Sequence, residues 1–371
     1  MKYALILLLL SQLAFAETDC RFNKLSIDKA FAMGRFKQCQ QLAPNRYKLT
    51  LAPENLPINP SPWYAFRLDS AQSQRIELEL QTEHGTPRYL PKFSLDKLHW
   101  QPLEYQLEGN SMLVSMTLNK GQVWVAGQEI LDNQHYQHWL SAPSFADLSE
   151  FELGRTVNGQ PLQGLVHRGQ SNEWLILIGR QHPPEITGAM AMTAFVDELF
   201  TVNSQSAKFL QHFNLLLVPN MNPDGVAAGN WRHNAGGVDL NRDWFSREQP
   251  ETQAVHQYLQ QIQAQGGKIR FAVDFHSTHK DVFYTMPADY GLASADLAER
   301  WLTGLADKVK PFPIRIQPGH NKNRGVFKQY IADTYAVHAV TYEVGDNTDR
   351  QDIQLVARAA AQELMQLLLA N

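Results

Sequence analysis

The sequence predicts two architectures in tandem: an all-β sandwich domain, then an α/β domain whose mixed, largely parallel central sheet is flanked by helices. Three observations carry this. Between about residues 45 and 145 the chain offers short runs of alternating polarity separated by turn residues, with no long helical periodicity. From about 150 onward, apolar strand-like runs alternate with helix-like segments. Three of those apolar runs also give way at their carboxyl ends to dense polar motifs, where open α/β sheets bind ligands. At 371 residues the chain is long enough for both units. The expected division is a leader at 1–16, a β-sandwich domain at 17–147 and an α/β domain at 148–371.

In chain order, Met1-Lys2 precedes the apolar run ALILLLL and the A-x-A pattern Ala14-Phe15-Ala16. That run is too short to span a bilayer, so 1–16 is expected to be a secretory signal peptide and the mature protein to be secreted or periplasmic. A membrane anchor is the alternative. A lipoprotein site is disfavoured, because Cys20 follows Glu-Thr-Asp and not small or apolar residues. The chain holds only Cys20 and Cys39, and in an oxidising compartment one disulfide between them is expected. Neither is then a nucleophile or a metal ligand.

Strand-like alternation follows at 64–68, 75–80 and 112–118. Trp63, Trp100 and Trp124 are assigned to core or interface packing, with carbohydrate binding as the alternative. In the second half, strands are expected at 174–178, 213–218, 269–274 and 336–342. Helices are expected at about 187–200, 249–264, 293–309 and 351–369. A composition of 44% hydrophobic and 19% charged residues, with a net charge of -4 and no basic cluster, offers no basis for a nucleic-acid partner. No further apolar stretch is long enough for a transmembrane helix, so no membrane partner is expected after leader cleavage.

The strand at 174–178 runs into GRQHPPEITG (179–188), where two prolines stiffen a bend between His182 and Glu185. Alone, this is a polar turn. His276, two residues past the strand at 269–274, supplies a third donor, and a His₂Glu set leaves the fourth position of tetrahedral zinc open for water. One zinc ion per chain is therefore expected on His182, Glu185 and His276, acidifying the water and polarising a carbonyl. Glu343, ending the run Thr-Tyr-Glu-Val, is the candidate general base and later acid, the alternative being a surface carboxylate.

The stretch 230–244 is rich in anion-recognising groups. Arg242 offers a planar fork for a substrate carboxylate, with Asn241 beside it. Arg232 suits an oxyanion. Asp239 suits the outer N–H of a ligating histidine, fixing its tautomer.

In this order, His182-x-x-Glu185, NPDG (222–225), GNWR (229–232), GVDLNRDW (237–244), DFHS (274–277) and YEVGD (342–346) resemble the zinc metallocarboxypeptidases, over about 170 to 350. The resemblance implies His182, Glu185 and His276 as zinc ligands and Glu343 as the catalytic carboxylate. It also implies Arg232 for carbonyl polarisation, Asn241 and Arg242 for the terminal carboxylate, and Asp239 as partner of the first ligand. INPSPWYAFRL (58–68), NPDGVAAGNWR and HSTHKDVFY (276–284) are closer to the cytosolic-carboxypeptidase, deglutamylase-like branch, which carries a β-sandwich before its catalytic domain. The leader departs from a cytosolic relative, so tubulin is not inferred as substrate. Digestive-type relatives place a mobile tyrosine ahead of the glutamate. The corresponding stretch here is HNKNRGVFKQY (320–330), and Tyr330 lies too close to Glu343 for that role to be carried over.

The leading expectation is an exported zinc carboxypeptidase acting on peptides, with Arg324 or Lys328 favouring an acidic C-terminal residue. One alternative keeps the site and changes the bond, to a zinc amidase acting on cell-wall peptides with γ-linked D-glutamate. The other is a binding protein with an inactive second domain.

Overall fold

The computed structural model describes residues 20–146 and 148–370, so the expected leader lies outside the described residues. Two sheets form in the N-terminal part. One orders Arg21–Phe22, Leu25–Asp28, Ala65–Ser70, Gly121–Ala126, Lys92–Ser94 and Gln101–Pro102; the other orders Gln38–Ala43, Arg46–Leu51, Gln74–Thr82, Ser111–Leu118 and Tyr105–Glu108. Neighbours are antiparallel except Arg46–Leu51 against Gln74–Thr82. Period-two patterning drives their packing. Along Gln74–Thr82, Ile76, Leu78 and Leu80 turn inward while Arg75 and Glu77 stay in water. The inward set shares a core with Phe66, Leu68 and Val125 of the facing sheet. Trp63 is fully buried there, and Trp100 packs at its margin. Cys20 and Cys39 form the expected disulfide, with Cα atoms 5.9 Å apart.

The last of these strands ends at Ala126, and the first strand of an eight-stranded sheet begins at Ser149. Its spatial order is Ser149–Arg155, Pro161–His167, Asn214–Val218, Glu173–Gly179, Lys268–Thr278, Ala339–Gly345, Val282–Thr285 and Ile316–Pro318. The central four are mutually parallel, and antiparallel strands flank them. Leu175, Leu177, Val273 and Phe275 face helices Ile186–Leu199, Leu297–Lys308 and Arg350–Leu369. On the other face, Ile176, Ile178 and Leu216 meet Pro250–Ala264 and Phe327–Tyr335. Strands buried on both faces read as unbroken apolar runs, as parallel central strands must.

Several boundaries differ from expectation. The strand expected at 269–274 continues to Thr278, and the one expected at 336–342 is Ala339–Gly345. A short helix, Phe327–Tyr335, occupies the chain just before, and Ala336 ends it in the left-handed region at φ 54°. The helix expected at 293–309 is Leu297–Lys308. Helices Asn133–Leu140 and Ser204–His212 were not expected, nor was the pairing of Ser149–Arg155 with Pro161–His167. Among the described residues no helix is long and apolar enough to cross a membrane.

Candidate active site and metal centre

The HPPE loop is built around its own arginine. Arg180 turns into the left-handed region at φ 56° and is buried. Its Nε donates to Pro183 O at 2.8 Å, and its Nη1 to Tyr136 Oη at 2.9 Å. A non-glycine residue pays strain at positive φ, so buried hydrogen bonds must hold it. The two prolines then aim His182 and Glu185 inward, and Glu185 immediately precedes helix Ile186–Leu199 without capping it, its carboxylate being engaged by the two imidazoles. Gly188, in the first turn, permits a close approach: a Cβ there would lie 2.4 Å from His276 O. The approach lets Gly188 N–H donate to Ser277 Oγ at 2.8 Å, while Ser277 N–H donates to Glu185 Oε2 at 3.1 Å.

His276 comes from the central strand. It pairs in register with Glu343 on the neighbouring parallel strand, so alternation puts Asp274, His276, Thr341 and Glu343 on one face. His182, Glu185 and His276 converge, all buried, with one donor atom from each within 4.8 Å of the others. Both imidazoles turn Nδ1 to Glu185, at 2.8 Å to Oε1 and 2.8 Å to Oε2. Both turn Nε2 to a carboxylate: Asp239 Oδ1 at 2.9 Å for His182 and Asp274 Oδ2 at 2.8 Å for His276. Burial works against the charged form of Glu185, but the two imidazoles outweigh it and hold the carboxyl well below its usual range. Two imidazole nitrogens and a carboxylate, with each ring fixed from behind by an acid, are a donor set that fits zinc with an open position.

These groups line a cavity of about 250 Å³ that also receives Glu343, Arg232, Asn241, Arg242 and Lys328. Glu343 Oε2 is buried and has no hydrogen-bond partner among the described residues. Burial pushes its carboxyl up to about 7; Glu185 adds to the rise, and His276 and His182 oppose it. Arg232 is buried, and its Nε donates to Asp239 Oδ2 at 2.6 Å. Asp239 thus orients His182 with one oxygen and Arg232 with the other. Asn241 is less free than its sequence position implied. Its Nδ2 lies 3.1 Å from His276 Nε2, and its Oδ1 accepts from Phe327 N–H at 2.9 Å. Arg242 is exposed at the rim. Lys328 is 2% exposed, and its Nζ donates to Thr285 O at 2.9 Å and to Gly319 O. Burial lowers its pKa to about 8. Arg324 is exposed and does not line the cavity. Tyr330 belongs to the core, with its hydroxyl 2.7 Å from His256 Nδ1 and its ring stacked on Trp244. Tyr284 is the tyrosine that lines the cavity.

Sequence reasoning missed several supporting groups. Asp274 sits two residues before a ligand on the same strand face, a spacing that could have identified it. Gln181 donates to Asp274 Oδ2 at 2.8 Å and accepts from Trp244 Nε1 at 2.8 Å. Loops between the N-terminal strands contribute Asn59 and Arg88 to the cavity wall. Arg88 grips Asp346 through Nε at 2.8 Å and Nη2 at 3.0 Å, and Nη2 also donates to Ser277 O at 3.0 Å. No local pattern announces a contact across 258 residues.

A protein of Zymomonas mobilis of uncharacterised role is 25% identical over 353 residues, covering 89% of this chain and 90% of its own. Mouse cytosolic carboxypeptidase 6 is 28% identical over 120 residues, a match spanning 30% of this chain and 22% of that protein. A crystal structure of a metallo-carboxypeptidase from Burkholderia cenocepacia superposes with a TM-score of 0.77 at 20% identity, covering 94% of this chain and 99% of that one. The Pseudomonas aeruginosa metallo-carboxypeptidase in complex with (2-guanidinoethylmercapto)succinic acid gives 0.73 at 20% identity, covering 92% and 98%. These last two share the fold. The profile of the family described as zinc carboxypeptidase, Peptidase M14, matches residues 140–366, well over half the chain, and with its His182, Glu185 and His276 intact this protein belongs to that family.

Proposed function

We propose that this zinc carboxypeptidase removes single C-terminal residues from peptides outside the cytoplasm, with a preference for acidic C-terminal residues. The observation that carries the chemistry is the buried Glu343 carboxylate oxygen, without a hydrogen-bond partner among the described residues, on the same sheet face as His276. His182, Glu185 and His276 would hold a zinc ion, and that ion would supply an acidified water and polarise a carbonyl. Glu343 takes the proton from the attacking water and returns it to the departing amine. Arg232, desolvated and held by Asp239, steadies the charge that develops on the carbonyl oxygen. Arg242 at the rim, with Asn241 beneath it, receives the terminal carboxylate that defines an exopeptidase substrate.

The preference rests on Lys328. An ammonium has three N–H donors, and two are committed to Thr285 O and Gly319 O. The third is available to a side-chain carboxylate in the cavity that Lys328 lines. Action outside the cytoplasm is supported by the leader-like pattern at 1–16 and by the Cys20–Cys39 disulfide.

A peptide panel ending in Glu, Leu or Lys, run beside muropeptides containing γ-linked D-glutamate and read by mass spectrometry, tests this reading. Faster release of Glu than of Leu or Lys is expected. Cleavage restricted to the muropeptides would make the enzyme an amidase, and a preference for Leu or Lys would remove Lys328 from specificity.

A further inference from the structure

The loop carrying Arg232 has no secondary structure of its own between helix Pro223–Ala228 and the turn at Leu240–Arg242. Its backbone N–H groups therefore need partners from elsewhere. Three consecutive ones find the same side chain, and it comes from a loop of the N-terminal part. Glu54, in the loop after strand Arg46–Leu51, accepts from Trp231 N–H at 2.7 Å through Oε2. It accepts from Arg232 N–H at 3.0 Å and His233 N–H at 2.6 Å through Oε1. The carboxylate is only 10% exposed. Asn55 extends the grip, with Oδ1 2.8 Å from His233 Nδ1 and Nδ2 donating to Gly237 O at 3.1 Å. The Trp231 indole, fully buried, donates to Trp63 O at 3.0 Å.

We propose that Glu54 is a positioning residue for catalysis: it holds the Arg232 backbone so that the guanidinium stands in the cavity beside the His182–Asp239 pair. Two anchors determine where that guanidinium lies. Asp239 fixes the side chain at Nε, and Glu54 fixes the backbone from which it springs. A carboxylate receiving three amide N–H groups makes charge-assisted hydrogen bonds, stronger than neutral ones. Without it, three amides lose their acceptor and the loop gains freedom where the reaction tolerates little displacement. Glu54 does not line the cavity, so it reaches the reaction only through the loop that carries Arg232. The inference rests on the reading of Arg232 as the group that stabilises the developing oxyanion.

The test compares full-length, zinc-loaded Glu54→Ala, Glu54→Gln, Arg232→Ala and the double variant Glu54→Ala with Arg232→Ala. It measures kcat and KM on a C-terminal Glu peptide, zinc content per chain and thermal midpoint. Removing one oxyanion donor typically costs about 10²–10³ in kcat, so Arg232→Ala is expected in that range and Glu54→Ala at roughly a tenth of that effect or more. KM should change little, and zinc content should stay at one per chain. Residues acting as one unit are non-additive, so Glu54→Ala in the Arg232→Ala background should cost less than about threefold more.

Multiplicative effects in the double variant would overturn the proposal, as would wild-type kcat in Glu54→Ala beside a crippled Arg232→Ala. Loss of zinc and folding in proportion to activity, in both Glu54 variants, would assign Glu54 to stability alone and also overturn it. Full activity in Arg232→Ala would instead remove the arginine reading itself, and the Glu54 proposal with it.

Discussion

The two sides of the cavity are built differently. The metal side stands on strand ends and one braced loop: His182, Glu185 and His276 are buried, and each imidazole is backed by an acid. The opposite side is assembled from segments outside the sheet, loops and the short helix Phe327–Tyr335, with Arg242 exposed and Lys328 tied to backbone carbonyls. Chemistry needs groups held close to a single geometry, which sheet register supplies. Selectivity needs a surface that can vary without disturbing that register, which loops supply.

Breaking the rigid side should be costliest. Glu343→Gln keeps the shape and removes the proton carrier, so kcat should fall by about 10²–10⁴ with bound zinc retained, as measured by turnover and metal analysis together. Asp274→Asn leaves His276 in place but weakens the acid behind it. Zinc affinity should drop by about 10–100-fold in a chelator competition.

On the selective side, the proposed preference for Glu over Leu should shrink by about tenfold in Lys328→Met, the scale of one hydrogen bond to a charged group. The same preference should depend on pH. Burial lowers the Lys328 pKa to about 8, so the ammonium is present below that pH and lost above it. The Glu-to-Leu rate ratio should therefore be flat near pH 7 and decline through pH 8 and above; an unchanging ratio would exclude Lys328. Smallest of all, Pro183→Gly with Pro184→Gly should lower stability by roughly 1–2 kcal/mol, through the freer unfolded chain. It should also weaken zinc binding by a few-fold, since Arg180 still braces the loop.

The same division governs what could be read from the sequence. The three metal ligands were legible because that role demands particular residue types, and apolar runs reveal the strand ends near which they sit. Glu343 was placed on a neighbouring strand end by the same pattern, and Asp239 by its motif, and both lie beside the ligands. Strand Ala339–Gly345 was placed three residues early because Glu343 inside it interrupts the apolar pattern at one end, while at the other the close of helix Phe327–Tyr335 at Ala336 takes up residues that read as strand. Helix Phe327–Tyr335 was missed, being nine residues long and lying against a motif-rich loop. Asn241 was expected to face substrate; it lines the cavity, and its Oδ1 is also held by Phe327 N–H, a contact that the sequence did not signal. Glu54 and Arg88 were invisible, since their partners are 177 to 179 and 258 residues away and no periodicity links them.

Arg88 has a practical consequence for anyone trimming this protein. A fragment beginning near residue 148 would keep all three metal ligands and Glu343 and would pass any motif search as an enzyme. It would lack the guanidinium that holds Asp346 by two hydrogen bonds and Ser277 O by a third. Ser277 is the residue whose amide steadies Glu185. A buried acid stripped of its partner is strongly destabilising, on the order of 3–5 kcal/mol. Such a fragment would carry the full set of catalytic residues on a frame without the strength to hold them.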